Sequence, residues 1–111
     1  MKYIITEDTK KSIGVYQIRL NEKCYIGSTT IGFKERWDAH LRFLKKDKHP
    51  NIHLQRAYNK YGDDTLAFSI IEIIDDKENV LRAEQKYINE MNPEYNICPI
   101  AGNSMGRPVT Y

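Results

Sequence analysis

Two runs of β-branched and aromatic residues, 13–20 and 24–29, are separated only by Asn21-Glu22-Lys23. That spacing commits this part of the chain to a β-hairpin with a three-residue loop. A glycine interrupts each run: Gly14 in Gly14-Val15-Tyr16 and Gly27 in Tyr25-Ile26-Gly27. Glycine weakens a strand, and inside one it marks a bulge or a close approach of backbone. Strand alternation puts Tyr16, Ile18 and Leu20 on one face and Val15, Gln17 and Arg19 on the other. Tyr16 therefore points with two aliphatic side chains toward a core or cleft.

The remaining elements follow from periodicity. Phe33, Trp37, Leu41 and Leu44 form an apolar stripe, which predicts a helix over 33–47. Residues 50–61 read as a second helix, with Pro50 in its first turn and Gly62 at its end. Residues 66–74 are apolar on both faces, with Leu66, Phe68 and Ile70 opposite Ala67, Ile71 and Ile73. This suits a central strand covered on both sides. Residues 77–91 form a third helix, stopped before Pro93. The order β-β-α-α-β-α predicts an α+β fold, a small three-stranded antiparallel sheet flanked by helices. Residues 1–12 read as a polar leader with a short edge strand at 3–6, residues 13–100 as the domain, and 101–111 as a linker or tail.

A chain of 111 residues, 41% apolar and 29% charged, suits one globular domain. Its longest apolar run, 70–74, is broken by Glu72 and is too short to span a membrane. The N-terminus has no signal-peptide pattern. Cys24 and Cys98 have no metal-like spacing and read as reduced residues of a cytoplasmic protein. Net charge is only +2, yet 33–60 carries eight Lys/Arg against three Asp/Glu. One basic region on a nearly neutral domain is the electrostatic footprint expected for a polyanion, and also of an ordinary solvated helix.

Some residues are not explained by folding alone. Leu81, Ile88 and Met91 form the apolar face of the third helix, and Glu84 falls in its middle. Either Glu84 snorkels or pairs with a cation, or its face opens on a cleft where it holds a hard metal ion. Arg36 and His40 lie one turn apart along the edge of the first helix's apolar stripe. There they are either an ordinary half-exposed pair or a cleft wall offering a phosphate-shaped fork and a titratable ring. His49 and His53 are also four apart, but no third ligand is near enough for zinc. His49 falls near the start of the second helix, where an anion can bind. Tyr16 and Tyr25 lie beside the two glycines, as packing residues or as phenols next to open backbone.

In sequence order these residues resemble the GIY-YIG nuclease superfamily. Gly14-Val15-Tyr16 and Tyr25-Ile26-Gly27 match its two name motifs, with Val for Ile in the first. The run 33–40 resembles the helix bearing its arginine and histidine. Glu84 with Tyr87-Ile88 resembles its metal-binding glutamate helix, and Tyr95-Asn96-Ile97 its asparagine motif. The run 49–62 is similar to the phage and group I intron homing endonuclease branch. Repair-type members carry a lysine after the second motif's glycine, where this chain has Ser28.

The resemblance implies an Mg-dependent endodeoxyribonuclease catalytic domain, with Mn²⁺ able to substitute. It makes Tyr16, Tyr25, Arg36, His40, Glu84 and Asn96 the catalytic set. Glu84 would hold the metal, Tyr16 or Tyr25 would activate water with help from His40, and Arg36 would hold the phosphate. Asn96 would orient the site, while Gly27, Ser28 and His49 would contact substrate. The implied partner is DNA, met by a monomer. Homing endonucleases add a separate DNA-binding region that does not fit after residue 101, so an isolated catalytic domain or a fragment is expected. The alternative is a catalytically silent nucleic-acid-binding or scaffold module on the same fold.

Overall fold

A computed structural model describes residues 1–96 and two short C-terminal strands. Its central element is β2 (Gly14–Leu20), paired antiparallel with β3 (Lys23–Thr29) on one side and with β4 (Ala67–Ile73) on the other. The hairpin turn is tighter than its sequence suggests. Lys23 pairs with Leu20, and only Asn21 (φ 52°) and Glu22 (φ 67°) form the loop. Two successive left-handed residues give the turn whose twist matches that of the strands, which frees Lys23 to extend β3.

The leader joins the sheet. β1 (Lys2–Tyr3) runs parallel to β4, so the sheet has four strands in the order β1-β4-β2-β3 and is mixed. This corrects the expected three-stranded antiparallel sheet. The signal is weak because two residues suffice, secured by side-chain packing: the Tyr3 ring sits edge-on to Trp37 at 5.4 Å and to Phe68 at 5.5 Å. Its hydroxyl donates to Asp38 Oδ1. The leader also caps the next helix, α1 (Phe33–Lys45). No side chain caps that N-terminus; the carbonyls of Ser12 and Lys10 accept from Phe33 N and Lys34 N instead.

Helices α1 and α2 (Ile52–Tyr61) cover one sheet face, where Tyr16, Ile18, Leu20, Phe33, Trp37, Leu44, Leu54 and Phe68 form the main core. α2 starts two residues later than expected because Asn51, whose side chain accepts from Leu54 N, is the N-cap; Pro50 precedes it. A single 3₁₀ turn (Lys77–Asn79) leads into α3 (Val80–Met91), which covers the other face over Val15, Ile26 and Ile71. The inward face of α3 is Val80, Glu84 and Ile88, whereas Leu81 and Met91 are exposed. The expected apolar stripe was out of phase by one residue at Leu81, but Glu84 stays on the inward face. Two further strands, β5 (Asn103–Ser104) and β6 (Arg107–Pro108), pair with each other. Cys24 is a buried free thiol, and the expectations for Cys98 and a domain end near residue 100 lie outside the described residues. Among the described residues no helix is long and apolar enough to cross a membrane.

Gly14 lets the β4 backbone come close to β2, beside an irregularity in their pairing. Val15 pairs with Glu72 but Tyr16 with Ile70, leaving Ile71 as the extra residue of a β-bulge. The bulge shifts the phase of β4 by one, so Ile74 joins the α3-side core while Ile73 is exposed. Gly14 has φ 150°, and a Cβ there would stand 2.0 Å from the Glu72 carbonyl oxygen. That contact is with backbone and cannot be relieved by a rotamer change. Gly14→Ala is expected to lose at least about 2 kcal/mol of unfolding free energy in urea titrations; a loss below half a kcal/mol would refute the close approach.

Candidate active site

Tyr16 stands at the centre of the candidate site. It is fully buried, and its hydroxyl lies 2.6 Å from His40 Nε2 and accepts from Arg36 Nε at 3.3 Å. Both partners project from α1, one turn apart. α1 itself is set by Thr29 at the end of β3, whose hydroxyl accepts from the Ile31 and Gly32 amides and so turns the chain from strand into helix. Arg36 and His40 thus both face the first tyrosine, with His40 fully buried rather than half-exposed.

The second glycine motif makes room for the first tyrosine. Gly27 is the cross-strand partner of Tyr16. A Cβ at position 27 would lie 2.7 Å from the Tyr16 hydroxyl oxygen and 2.9 Å from a ring carbon of Tyr25. Tyr25 is buried on the same sheet face, its ring 5.6 Å from that of His40. The two motifs therefore form one steric unit. One residue further on, strand alternation sends Ser28 to the opposite face. There its hydroxyl donates to Glu84 Oε1 on α3. Gly27 and Ser28 are adjacent in the chain, so this end of β3 carries the Tyr16 group on one side and the Glu84 carboxylate on the other.

His49 is placed behind the site. Its ring is 5% exposed, with Nε2 2.7 Å from His40 Nδ1 and Nδ1 accepting from the Asn51 backbone amide at 3.0 Å. The two rings lie edge to edge, with centroids 5.0 Å apart and planes within 16°. Buried Gln55 fixes the loop: its Oε1 accepts from His49 N, and its Nε2 donates to Leu44 O and Asn59 Oδ1. Asn51 Nδ2 donates to Tyr95 O. Both ring nitrogens of His49 are thus engaged within the fold rather than turned to a substrate. Asn51 and Gln55 were not singled out from sequence. Their only signal was an Asn followed four residues later by a Gln at a helix start, which reads as ordinary capping.

Asn96 bonds to backbone rather than to a catalytic side chain. Its Oδ1 accepts from Ile26 N at 2.8 Å and its Nδ2 donates to Ile26 O at 3.0 Å. Tyr95 N also donates to Cys24 O, and Glu94 Oε1 accepts from Cys24 N. Residues 94–96 thereby close the free edge of β3.

Burial dominates the electrostatics. It holds the pKa of His40 well below the ordinary histidine value, with His49 and Arg36 adding to the effect. It also lowers His49 to about 4, with Arg36 contributing. Both rings are neutral at pH 7. A divalent cation was expected at Glu84. Among the described residues no three His, Cys, Asp or Glu side chains cluster as a cage. A single buried carboxylate flanked by a hydroxyl is nonetheless a hard-oxygen donor set of the kind that suits Mg²⁺, which keeps several waters and takes further oxygens from a phosphate.

A sequence profile described as the GIY-YIG catalytic domain matches residues 3–96. The chain is 37% identical over 95 residues to intron-associated endonuclease 1 of Enterobacteria phage T4, covering 84% of this chain and 38% of that protein. It is 34% identical over 103 residues to probable intron-encoded endonuclease 1 of Neurospora crassa, covering 84% of this chain and 32% of that one. The chain thus spans well under half the length of these relatives. Among solved structures, the catalytic domain of homing endonuclease I-TevI superposes with a TM-score of 0.71 at 37% identity, covering 78% of this chain and 98% of the other.

Two outcomes follow from this geometry. Gly27→Ala forces a methyl group against the buried Tyr16 hydroxyl. It should cost about 1–3 kcal/mol in chemical denaturation; unchanged stability would mean that the tyrosine does not press on position 27. The second concerns pH. The folded pKa of His49, about 4, lies below the unfolded value near 6.5, so the unfolded state binds the extra proton between those values. Stability is then fully present above about pH 6.5 and falls as pH drops toward 4, by something like 3 kcal/mol from His49 alone. Denaturation curves across this window should show the decline. A flat profile in wild type would contradict the buried neutral pair.

Proposed function

Because the chain belongs to the GIY-YIG catalytic-domain family, we propose that it hydrolyses DNA phosphodiester bonds as a divalent-metal-dependent endonuclease. The observation that carries this reading is the convergence of Arg36 and His40 on the Tyr16 hydroxyl at the end of β3, where Ser28 holds Glu84. The names of the relatives support DNA cleavage, and the one-carboxylate donor set supports Mg²⁺, with Mn²⁺ as a substitute.

In this reading Glu84 holds the cation with Ser28 steadying its carboxylate. The ion, when bound, supplies positive charge to the phosphate oxygens and to the leaving 3′ oxygen. Arg36 binds the scissile phosphate with its planar fork. Tyr16 acts as the phenolate, its own proton released beforehand to solvent, and takes the proton of the attacking water as the new P–O bond forms and the P–O3′ bond breaks; the departing 3′ oxygen is protonated from solvent. Tyr16 is taken as the base because its hydroxyl meets both Arg36 and His40. A free phenol has a pKa near 10, so the base needs donors that stabilise its anion. Asn96 and Gly27 act through the position of β3. The unit works as a monomer in a bacterial or phage-infected cell, as the T4 relative suggests. On its own it binds DNA weakly, with sequence choice made by a separate DNA-binding region.

The test is nicking of supercoiled plasmid with and without Mg²⁺, beside Glu84→Ala. Wild type is expected to nick only with the metal, and the variant to be slower by roughly a hundredfold or more, the scale of losing a transition-state charge stabiliser. Equal inertness of both proteins with retained DNA binding would instead support a silent binding module.

A further inference from the structure

The hydrogen-bond chain behind Tyr16 has a fixed direction. It begins at a donor that cannot be reversed, the backbone N–H of Asn51, which donates to His49 Nδ1 at 3.0 Å. A neutral imidazole carries one proton, so that of His49 must reside on Nε2. This nitrogen lies 2.7 Å from His40 Nδ1 in nearly coplanar rings and therefore donates to it. His40 in turn must carry its proton on Nε2, 2.6 Å from the Tyr16 oxygen. Arg36 Nε–H, 3.3 Å from the same oxygen, is also an obligate donor.

From this we propose that His49 is a positioning residue which locks His40 as a hydrogen-bond donor to Tyr16, so that His40 stabilises the tyrosine's anionic oxygen rather than removing its proton. Of the two ways in which His40 could help Tyr16, as hydrogen-bond donor or as base, this selects the donor. For His40 to accept a proton at Nε2 while neutral, its own proton would have to move to Nδ1, opposing the His49 Nε2–H. His49 would then have to surrender that proton and break its bond to the Asn51 amide. The loop cannot easily yield, because Gln55 holds the His49 backbone and is itself tied to Leu44 O. With His40 and Arg36 both donating, negative charge on the Tyr16 oxygen is stabilised from two sides.

The role assigned to the phenolate rests on the DNA-cleavage reading, whereas the direction of the chain does not. Two experiments separate them. In the first, the full chain labelled with ¹⁵N-histidine is examined by long-range proton–nitrogen correlation at neutral pH. The exposed His53 is assigned by loss of its signals in His53→Gln. Both remaining rings are expected as the neutral Nε2–H tautomer, each with a pyridine-like Nδ1. A proton on Nδ1 of either ring overturns the proposal, whether or not the protein cuts DNA.

In the second, plasmid nicking is compared among three variants at position 49, with Trp37 fluorescence and thermal melts used to compare only folded proteins. His49→Ala removes the donor to His40 and should slow nicking on the order of tenfold, the equivalent of one hydrogen bond. His49→Gln places an amide N–H where Nε2–H was and should recover most of that loss. His49→Glu offers an acceptor and turns His40 around, so it should remain at least as slow as the alanine variant. Nicking by the glutamate variant faster than by the glutamine variant would show that His40 works as a base, and would sink the proposal. If wild type itself fails to nick, the cleavage reading falls and the tautomer measurement still decides the direction.

Discussion

The Tyr16 hydroxyl occupies space that any side chain at position 27 would fill, and most of the site's geometry follows from this contact. Cross-strand pairing of Tyr16 with Gly27 brings a phenol across bare backbone. The bulge at Ile71 of β4 shifts the strand register just before that phenol. Two glycines that weaken their strands are therefore retained for opposite reasons. Gly14 lets the backbone of β4 approach, and Gly27 lets a neighbouring side chain lie down. Neither function can be supplied by alanine, the smallest alternative.

Around this contact the protein buries an unusual amount of polarity for a small domain. His40, His49, Asn51 and Gln55 are each less than a tenth exposed. A buried polar atom without a partner costs about 1–3 kcal/mol, so such a group is tolerable only when its bonds are made. Here they are made in sequence, each ring or amide handing its donor to the next acceptor. A network of this kind is high-stakes, because removing one member strands its neighbours. It also explains why the histidines stay neutral: desolvation disfavours the charged ring, and the nearby guanidinium of Arg36 does the same. The main core supplies the rigid setting, although Trp37 Nε1 is buried there without a hydrogen-bond partner among the described residues.

Much of this was legible in the residues. The hairpin, the three helices, the doubly covered β4, and Glu84 on an inward helical face all follow from periodicities that burial enforces. What escaped had local or distant causes. The two-residue turn depends on Asn21 and Glu22 accepting positive φ, and glutamate is a poor advertisement for that. The parallel β1 is two residues long and is held by Tyr3 against Trp37, a contact over 34 residues of chain that no local pattern encodes. Leu81 looked inward only because the helix phase was judged from its largest side chains, whereas Val80, Glu84 and Ile88 lie one turn apart on one line. His49 was legible as a candidate but not as a residue behind another, since sequence spacing does not reveal depth.

The division of the site across the sheet gives β3 an importance beyond its own residues. Tyr16, Arg36 and His40 belong to the face covered by α1 and α2, while Glu84 belongs to the face covered by α3. Alternation along a strand sends adjacent residues to opposite faces, so Gly27 and Ser28 tie these two halves to one stretch of backbone. A slip of β3 would displace Gly27 from beside Tyr16 and Ser28 from Glu84 together. Yet β3 is the edge of the sheet, paired with β2 alone. Edge strands are the least restrained and the most open to stray pairing. Asn96 meets both needs at once: its amide takes up the N–H and C=O of Ile26, directly between Tyr25 and Gly27, as a neighbouring strand would. An asparagine at this position can therefore matter to catalysis without touching a reacting atom, because it holds straight the one segment on which both halves of the site depend.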